Sequence, residues 1–272
     1  MKDILLPTDF SDNAKNALEY ILPIAQKAGA EITLFNVAHV PPGSTTMRRD
    51  IRDILKKDSE QALVQLKDKI DPAYKDVEIH TVSRYGNLIV QINTIARAAA
   101  NIDLIVMGTQ GATGVKELFF GSNTADVIEQ VRACPVLAVP NKAKYTGIKK
   151  IVFATNYSAN NVPALKELLS FTKLFNASIH MLHIRKTDKI NPVAEQFKKK
   201  IEAELPQSAL TFHEIQNEDI LDGLDQFIAS ENIDMMAMVV RKKGFFESYT
   251  SRSLVKKAAC NTTIPLLTFH DQ

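Results

Sequence analysis

Short apolar runs alternate with amphipathic stretches along the first half of the chain. Ile4–Pro7 is a branched, apolar run typical of a buried strand. Ser11 then precedes a stretch in which apolar residues recur at helical spacing. The apolar positions of this stretch, Asn13–Lys27, are Ala14, Ala17, Leu18, Ile21, Leu22 and Ala25. The pattern predicts a strand followed by an amphipathic helix that is capped by Ser11.

The alternation continues to the middle of the chain. It predicts strands at Glu31–Val40, Val77–Ser83, Leu104–Met107 and Pro135–Val139, and helices at Ile51–Lys69, Leu88–Ala100 and Asn123–Arg132. Strands that alternate with helices in this way are typical of a parallel sheet covered by helices on both faces. We therefore predict an open α/β domain.

The second half of the chain repeats the first. Asp3–Ser11 reads DILLPTDFS, and Lys150–Ser158 reads KIVFATNYS. Further on, Asn101–Leu104 corresponds to Asn232–Met235, at a shorter offset. The polar stretch Asn141–Gly147 lies between the copies and suits a short linker. We predict two tandem domains, residues 1–141 and 148–272, of which the second has lost residues in its middle.

Composition narrows the possible partners and compartment. The chain has 272 residues, of which 45% are hydrophobic, and its formal net charge is +2. This balance gives no case for a nucleic-acid partner. The N-terminus lacks the pattern of a signal peptide, and no apolar run reaches the ~18 residues that a membrane span needs. With only two cysteines, Cys134 and Cys260, we expect a cytoplasmic protein without disulfides.

Four of the ten glycines lie close together, between a predicted strand and a predicted helix. They are Gly108, Gly111, Gly114 and Gly121. In an open α/β sheet this loop lies at the carboxyl edge, where ligands bind. Glycines there let backbone amides approach phosphate oxygens, and the helix start that follows at Ser122 favours an anion.

Two interpretations of the loop remain on composition and spacing alone. The glycines can hold a phosphate group, which we favour, or they can simply form turns. The run is not a Walker loop, because no Gly-Lys-Ser/Thr follows, and it is not the dinucleotide pattern G-x-G-x-x-G.

The spacing Gly108-x2-Gly111-x9-Gly121-Ser122 resembles the ATP-binding signature of universal stress proteins. Leu6–Ser11 is also similar to the first strand and turn of that family. The resemblance covers both halves of the chain. It implies two tandem, Rossmann-like domains of the adenine nucleotide alpha hydrolase type, with ATP bound in the first.

Carried over by position, the resemblance assigns ten residues to the nucleotide. Pro7, Thr8 and Asp9 line the site, Val37 meets adenine through its backbone, and Met107 and Gly108 flank the sugar and base. The phosphates are assigned to Gly111, Gly121, Ser122 and Asn123. A divalent ion such as Mg²⁺ commonly accompanies the triphosphate in this family. It usually keeps waters and phosphate oxygens as ligands, so no protein ligand is assigned.

The second copy departs from this pattern. Val239 and Lys242 stand where the first copy has Gly108 and Gly111, and Asn156 replaces Asp9. We predict that the second copy does not bind ATP in the same way. The basic run Arg241–Lys243 fits a solvated loop better than another kind of anion site.

Other constellations are less informative. His180 and His183 are three apart on a predicted strand, so they point to opposite faces and are poor candidates for one metal ion. Asp9 is interpreted as a structural turn residue rather than a base, and no catalytic residue is assigned.

The resembled family forms dimers through its last strands. We therefore expect Pro135–Val139 and Pro265–Phe269 to pair within the chain as a pseudo-dimer, and we leave open a homodimer. Three functions follow: an ATP-dependent stress-response or signalling module with an unidentified protein partner, a slow ATPase or adenylate-type transferase, and a nucleotide-independent interaction scaffold.

Overall fold

Two units form in the chain, Met1–Tyr145 and Thr146–Gln272. A computed structural model describes residues 1–38, 48–99, 102–109, 122–158, 161–186, 192–205, 210–241 and 263–271. No helix in these ranges is both long and apolar enough to cross a membrane.

The first helix of unit 1, α1 (Asp12–Ala28), extends one residue beyond each end of the predicted stretch Asn13–Lys27 and has the predicted cap. Ser11 is its N-cap, and the Ser11 hydroxyl oxygen accepts a hydrogen bond from the Ala14 N–H at 3.3 Å. Gly29 ends the helix with φ 61°, a left-handed conformation that glycine adopts without a steric penalty.

Unit 1 has a parallel sheet in the order β3-β2-β1-β4-β5. Its strands are β1 (Asp3–Pro7), β2 (Glu31–Ala38), β3 (Ile79–Tyr85), β4 (Leu104–Gly108) and β5 (Val136–Val139). After α1 come the helices α2 (Arg48–Asp68), α3 (Leu88–Ala99) and α4 (Ser122–Gln130), with a 3₁₀ turn at Pro72–Tyr74. Leu6, Leu34 and Val106 on the central strands are fully buried, so the sheet is the core of the unit.

Unit 2 repeats the arrangement in the order β10-β9-β6-β7-β8. Its strands are β6 (Lys150–Ala154), β7 (Ser178–Arg185), β8 (Leu210–Gln216), β9 (Met235–Val240) and β10 (Leu266–His270), and its helices are α5 (Asn161–Thr172), α6 (Pro192–Glu204) and α7 (Ile220–Glu231). Counted from the first strand of each unit, the two orders are the same. The predicted class, two tandem open parallel-sheet α/β domains, is confirmed.

The polar stretch that follows β5 is attached to α1. The Asn16 side-chain amide donates to the Pro140 and Ala143 carbonyl oxygens, each at 3.0 Å. The Lys144 ammonium contacts the Asn16 side-chain oxygen at 2.9 Å and the Glu19 carboxylate at 3.0 Å. The first part of the segment expected to be a linker is therefore anchored to unit 1 as far as Lys144.

Candidate functional site

The strand order of unit 1 reverses direction between β1 and β4. The chain leaves β1 toward β2 on one side, whereas β4 is the neighbour on the other side. The parallel pairing of Leu5 with Ile105 brings the carboxyl ends of both strands to the same edge. Such a switch point is where open α/β sheets hold their ligands. Pro7 and Gly108 end these two strands, so two of the predicted site residues flank the crevice from opposite sides.

The turn that leaves β1 is fixed by its own polar groups. The Thr8 N–H donates to the Phe35 carbonyl at 2.8 Å, and the Thr8 hydroxyl oxygen accepts from the Phe10 N–H at 3.0 Å. The Asp9 carboxylate accepts from the Ser11 N–H at 3.1 Å. Phe10 lies in the left-handed region with φ 64°. Asp9 thus has the structural turn role that its sequence context favoured.

The end of β4 is held by three neighbouring elements. A Cβ built on Gly108 would lie 2.7 Å from the Asn13 carbonyl oxygen in the first turn of α1. The Gly108 carbonyl accepts from the Thr124 hydroxyl of α4 at 2.8 Å, and the Thr109 N–H donates to the Val139 carbonyl at 3.0 Å. Glycine is required at position 108 by packing against α1, a reason that sequence reasoning missed.

Of the remaining predicted site residues, four lie in the described part of the chain and two lie outside it. Met107 on β4 is buried, whereas Val37, near the carboxyl end of β2, is half-buried. Ser122 begins α4, and Asn123 next to it is exposed. A helix start of this kind offers N–H groups to an anion. Gly111 and Gly121 lie in residues 110–121, outside the described part of the chain.

A chain of hydrogen bonds leads from this turn to β3. The Asn36 side-chain amide donates to the Thr8 carbonyl at 2.7 Å, and the Ser59 hydroxyl of α2 donates to the Asn36 side-chain oxygen at 2.8 Å. The Ser83 hydroxyl of β3 donates to the Ser59 hydroxyl oxygen at 2.8 Å. Sequence reasoning missed these residues. The available signal was a polar residue inside an otherwise apolar strand, which in a buried sheet needs partners.

The corresponding turn in unit 2 has the same backbone geometry. The Thr155 N–H donates to the Leu182 carbonyl at 2.9 Å, and the Thr155 hydroxyl oxygen accepts from the Tyr157 N–H at 3.0 Å. Asn156 accepts from the Ser158 N–H at 3.3 Å, as Asp9 does in unit 1. The change from aspartate to asparagine therefore leaves the turn intact and removes a negative charge from the crevice.

Aromatic side chains fill the space above β7 in unit 2. Tyr157 is 1% exposed, and its ring lies 4.6 Å from the His183 ring and 5.7 Å from the Phe197 ring of α6. Its hydroxyl has no hydrogen-bond partner among the described residues. Burial, and next the Glu214 carboxylate, raise the pKa of Tyr157 to about 12. This part of unit 2 is a packed aromatic cluster.

The two histidines of β7 have separate hydrogen-bond partners. The His183 Nδ1 lies 2.9 Å from the Thr155 carbonyl, and because a carbonyl only accepts, this nitrogen carries the proton. The His180 Nδ1 lies 3.0 Å from the His213 Nε2. Burial lowers the pKa of both His180 and His213.

One group of potential metal ligands lies among the described residues, at the amino end of the unit 1 sheet. The ligand atoms of Glu31, Glu78 and His80 lie within 4.8 Å of one another, and all three side chains are exposed. His80 Nε2 is 3.1 Å from Glu31 and 3.4 Å from Glu78. Since this is the edge opposite Pro7 and Gly108, the group is no candidate for the cation of a bound triphosphate.

Comparison with known sequences identifies relatives that match about half of this chain. The sequence profile of the universal stress protein family matches residues 1–140. Universal stress protein MJ0531 of Methanocaldococcus jannaschii is 34% identical over 152 residues, which are 53% of this chain and 84% of that protein. Universal stress protein YxiE of Bacillus subtilis is 28% identical over 147 residues, which are 50% of this chain and 97% of that protein. Each match therefore covers most of the relative but only about half of this chain.

Solved structures include one that resembles the chain along nearly its whole length. A universal stress protein from Archaeoglobus fulgidus DSM 4304 matches with a TM-score of 0.79 at 19% sequence identity, covering 99% of this chain and 98% of that chain. At this identity the likeness shows the fold alone.

Proposed function

The chain belongs to the universal stress protein family, and on that premise we propose that its first unit binds ATP in the crevice between the carboxyl ends of β1 and β4. The ligand-facing residues in this proposal are Pro7, Thr8, Asp9, Val37, Met107, Gly108, Gly111, Gly121, Ser122 and Asn123. Mg²⁺ accompanies the triphosphate and takes its ligands mainly from phosphate and water.

One observation carries the proposal. The fixed turn after Pro7 and the end of β4 at Gly108 flank the strand-order reversal of unit 1, and the glycine-rich stretch of the sequence begins at that point. Ser122, at the start of α4, follows the last of its glycines. The residues present fit an adenine nucleotide, because the base contacts backbone at the ends of β1 and β2 while the phosphates face glycine amides and a helix start.

Unit 2 supports a stoichiometry of one nucleotide per chain. Val239 of β9 pairs with Phe269 and occupies the place that Gly108 has in unit 1. Tyr157 packs above β7, and Asn156 lacks the charge of Asp9. We propose that unit 2 binds no ATP in the family mode.

The proposed role is that of a binding module in which ATP biases a conformation or a partner contact during a stress response. A slow ATPase is the second candidate. Its candidate base is Asp9, whose carboxylate also accepts the Ser11 N–H within the turn.

The test is to purify the full chain, denature it and identify the released nucleotide by mass spectrometry, and to titrate nucleotide-free protein with Mg-ATP. We expect about one ATP per chain, binding abolished by Gly121→Val and unchanged by the matched variant Gly244→Val in the second half. Retention of ATP by Gly121→Val would refute the loop assignment. No nucleotide and no binding on titration would favour the scaffold. Turnover of ATP that is lost on Asp9→Ala would establish the enzyme.

A further inference from the structure

We propose that Ser59 and Ser83 are positioning residues of the nucleotide site in unit 1, acting through Asn36 on the turn after β1. This inference rests on the proposed function, and it adds residues from α2 and β3 that lie outside the glycine signature. Its physical basis is an ordered chain of hydrogen bonds whose last acceptor is the carbonyl of Thr8.

The direction of every bond in the chain is determined. The Thr8 carbonyl only accepts, so the amide nitrogen of Asn36 donates to it. The Asn36 side-chain oxygen then accepts from the Ser59 hydroxyl, and the Ser59 oxygen accepts from the Ser83 hydroxyl. Each bond polarises the next in the same sense, because Ser59 and Asn36 each accept one hydrogen bond and donate the next.

The series of hydrogen bonds is buried at Thr8, Ser59 and Ser83, where an unmade hydrogen bond is costly, and half-buried at Asn36. Thr8 is 6%, Ser59 6% and Ser83 8% exposed. Removing the Ser59 hydroxyl leaves the Asn36 oxygen without its donor and the Ser83 hydroxyl without its acceptor. Asn36 is then free to rotate its amide, and the Thr8 carbonyl loses a fixed partner.

The two units share a side-chain donor to the turn carbonyl but differ in the hydrogen bonds that lead away from it. In unit 2 the His183 Nδ1 donates to the Thr155 carbonyl, so both units hold this carbonyl with a side-chain donor. The position of Ser83 is taken by Glu214, which pairs with Arg185 at 2.6 Å instead. A donor to the carbonyl is thus common to both turns, whereas the connection through a serine of the covering helix occurs in the unit that carries the glycine signature.

Helix α2, which supplies Ser59, makes two further hydrogen bonds to β3, one before and one after Ser59 in the sequence. The Tyr85 hydroxyl donates to the Arg52 carbonyl, and the Lys67 ammonium donates to the Ile79 carbonyl at 2.7 Å. Through Ser59, the placement of α2 on β3 determines how the Thr8–Asp9 peptide faces the crevice. Because Asn36 immediately precedes Val37, the same chain fixes the backbone assigned to the base end of the nucleotide.

The experiment measures Mg-ATP and adenosine affinities of the nucleotide-free full chain by calorimetry, at a temperature where every variant is folded. We expect Ser59→Ala to weaken both ligands by about three- to tenfold, because misplacement at the base end affects both equally. Ser83→Ala, which leaves the Ser59–Asn36 bond in place, is expected to have a smaller effect in the same direction. A loop variant such as Gly121→Val, in contrast, should weaken ATP far more than adenosine.

Leu63→Val is the matched control, because Leu63 is fully buried one turn further along α2 and its apolar side chain takes no part in the series of hydrogen bonds. It should lower thermal stability while leaving both affinities unchanged. Equal loss of affinity in Leu63→Val and Ser59→Ala would mean that the hydrogen bonds only stabilise the fold and do not position the site. Wild-type affinity in Ser59→Ala would overturn the proposal. If the unmodified protein binds neither ligand, the proposed function itself fails, and this inference with it.

Discussion

Gly108 packs against Asn13 so closely that a Cβ at position 108 would lie 2.7 Å from the Asn13 carbonyl oxygen and 2.9 Å from its carbonyl carbon. The atoms in the way are backbone, so no rotamer change relieves the contact. This close approach joins the end of β4 to the first turn of α1. That helix follows directly on the turn that carries Thr8 and Asp9. The glycine is therefore part of the architecture of the crevice whatever ligand occupies it.

Gly108→Ala should lower the free energy of unfolding by about 1–3 kcal/mol, because α1 must move away from β4 to admit the methyl group. Urea unfolding of the full chain followed by circular dichroism measures this loss. Gly223→Ala, within α7, is the comparison, since its Cβ would lie 3.0 Å from the Ile184 Cδ1 and 3.1 Å from the Asn217 Cβ, which are side-chain atoms at longer distances than the backbone contact at Gly108. Helix propensity also favours alanine there, so a smaller loss than in Gly108→Ala is expected. Similar losses in both variants would mean that the contact with Asn13 is not the cause.

Hydrophobic periodicity was sufficient to predict the order of strands and helices in unit 1, because β1, β4 and β5 are buried apolar runs and the helices have an apolar stripe. It could not reveal partners that are distant in sequence. Asn101–Leu104 and Asn232–Met235 were recognised only as repeated sequence, whereas the structure shows why the aspartate recurs. Asp103 accepts a hydrogen bond from the Asp3 N–H, and Asp234 accepts from the Lys150 N–H, so each aspartate ties the start of its unit's first strand.

The candidate site was predictable in the same uneven way. The family resemblance assigned Thr8, Asp9 and Gly108 to the site, and the structure has Thr8 and Asp9 in the turn after β1 and Gly108 at the end of β4. The partnership of Asn36 with Ser59 was not predictable, since it depends on how α2 lies over the sheet. The packing reason for a glycine at position 108 was not predictable either, since it depends on how closely α1 approaches the end of β4.

Tyr157→Phe should raise the free energy of unfolding by about 1 kcal/mol, because it removes a buried hydroxyl that has no partner among the described residues. The backbone tolerates the change, since Phe10 has nearly the same φ at the corresponding turn, 64° against 61° for Tyr157. Tyr157→Leu keeps burial but loses the ring contacts with His183 and Phe197, so it should be destabilising. A clear loss of stability in the phenylalanine variant would show that the hydroxyl has a partner.

Alkaline pH provides an independent test of the same side chain. The pKa of Tyr157 is about 12 in the folded protein, against 10.0 for an unperturbed tyrosine. The unfolded chain therefore loses this proton first, and stability that is present below pH 10 is lost as the pH rises toward 12. Unfolding measured between pH 9 and 11 should show a shallower decline in Tyr157→Phe than in the unmodified protein. Parallel declines would contradict the assignment.

Mild acid should destabilise unit 2 through the pair His180 and His213. Their ring nitrogens lie 3.0 Å apart, and this bond needs a lone pair on one of them, so both rings cannot be charged. Burial lowers both pKa values below 6.5, with a further lowering of the His180 pKa by His213 and Lys150, whereas Glu231 acts in the opposite direction.

Because the unfolded chain takes up these protons first, the stabilisation is complete above pH 6.5 and is lost as the pH falls through the lowered pKa values. Unfolding measured between pH 7.5 and 5 should show this decline, and His213→Gln should reduce its slope. An unaltered slope in His213→Gln would exclude the pair as the source.

Asp234→Ala should lower the free energy of unfolding by about 1–3 kcal/mol, because one carboxylate oxygen accepts from the Lys149 N–H at 2.7 Å and from the Lys150 N–H at 2.9 Å. Asp234→Asn keeps one acceptor oxygen and should cost less. Hydrogen exchange reports directly on the two amides, which should lose protection in the alanine variant more than the rest of β6. Asp222→Ala, in the exposed first turn of α7, controls for the loss of a negative charge and should leave these amides protected. Equal protection of the Lys149 and Lys150 amides in Asp234→Ala and the unmodified chain would show that the carboxylate does not anchor the strand.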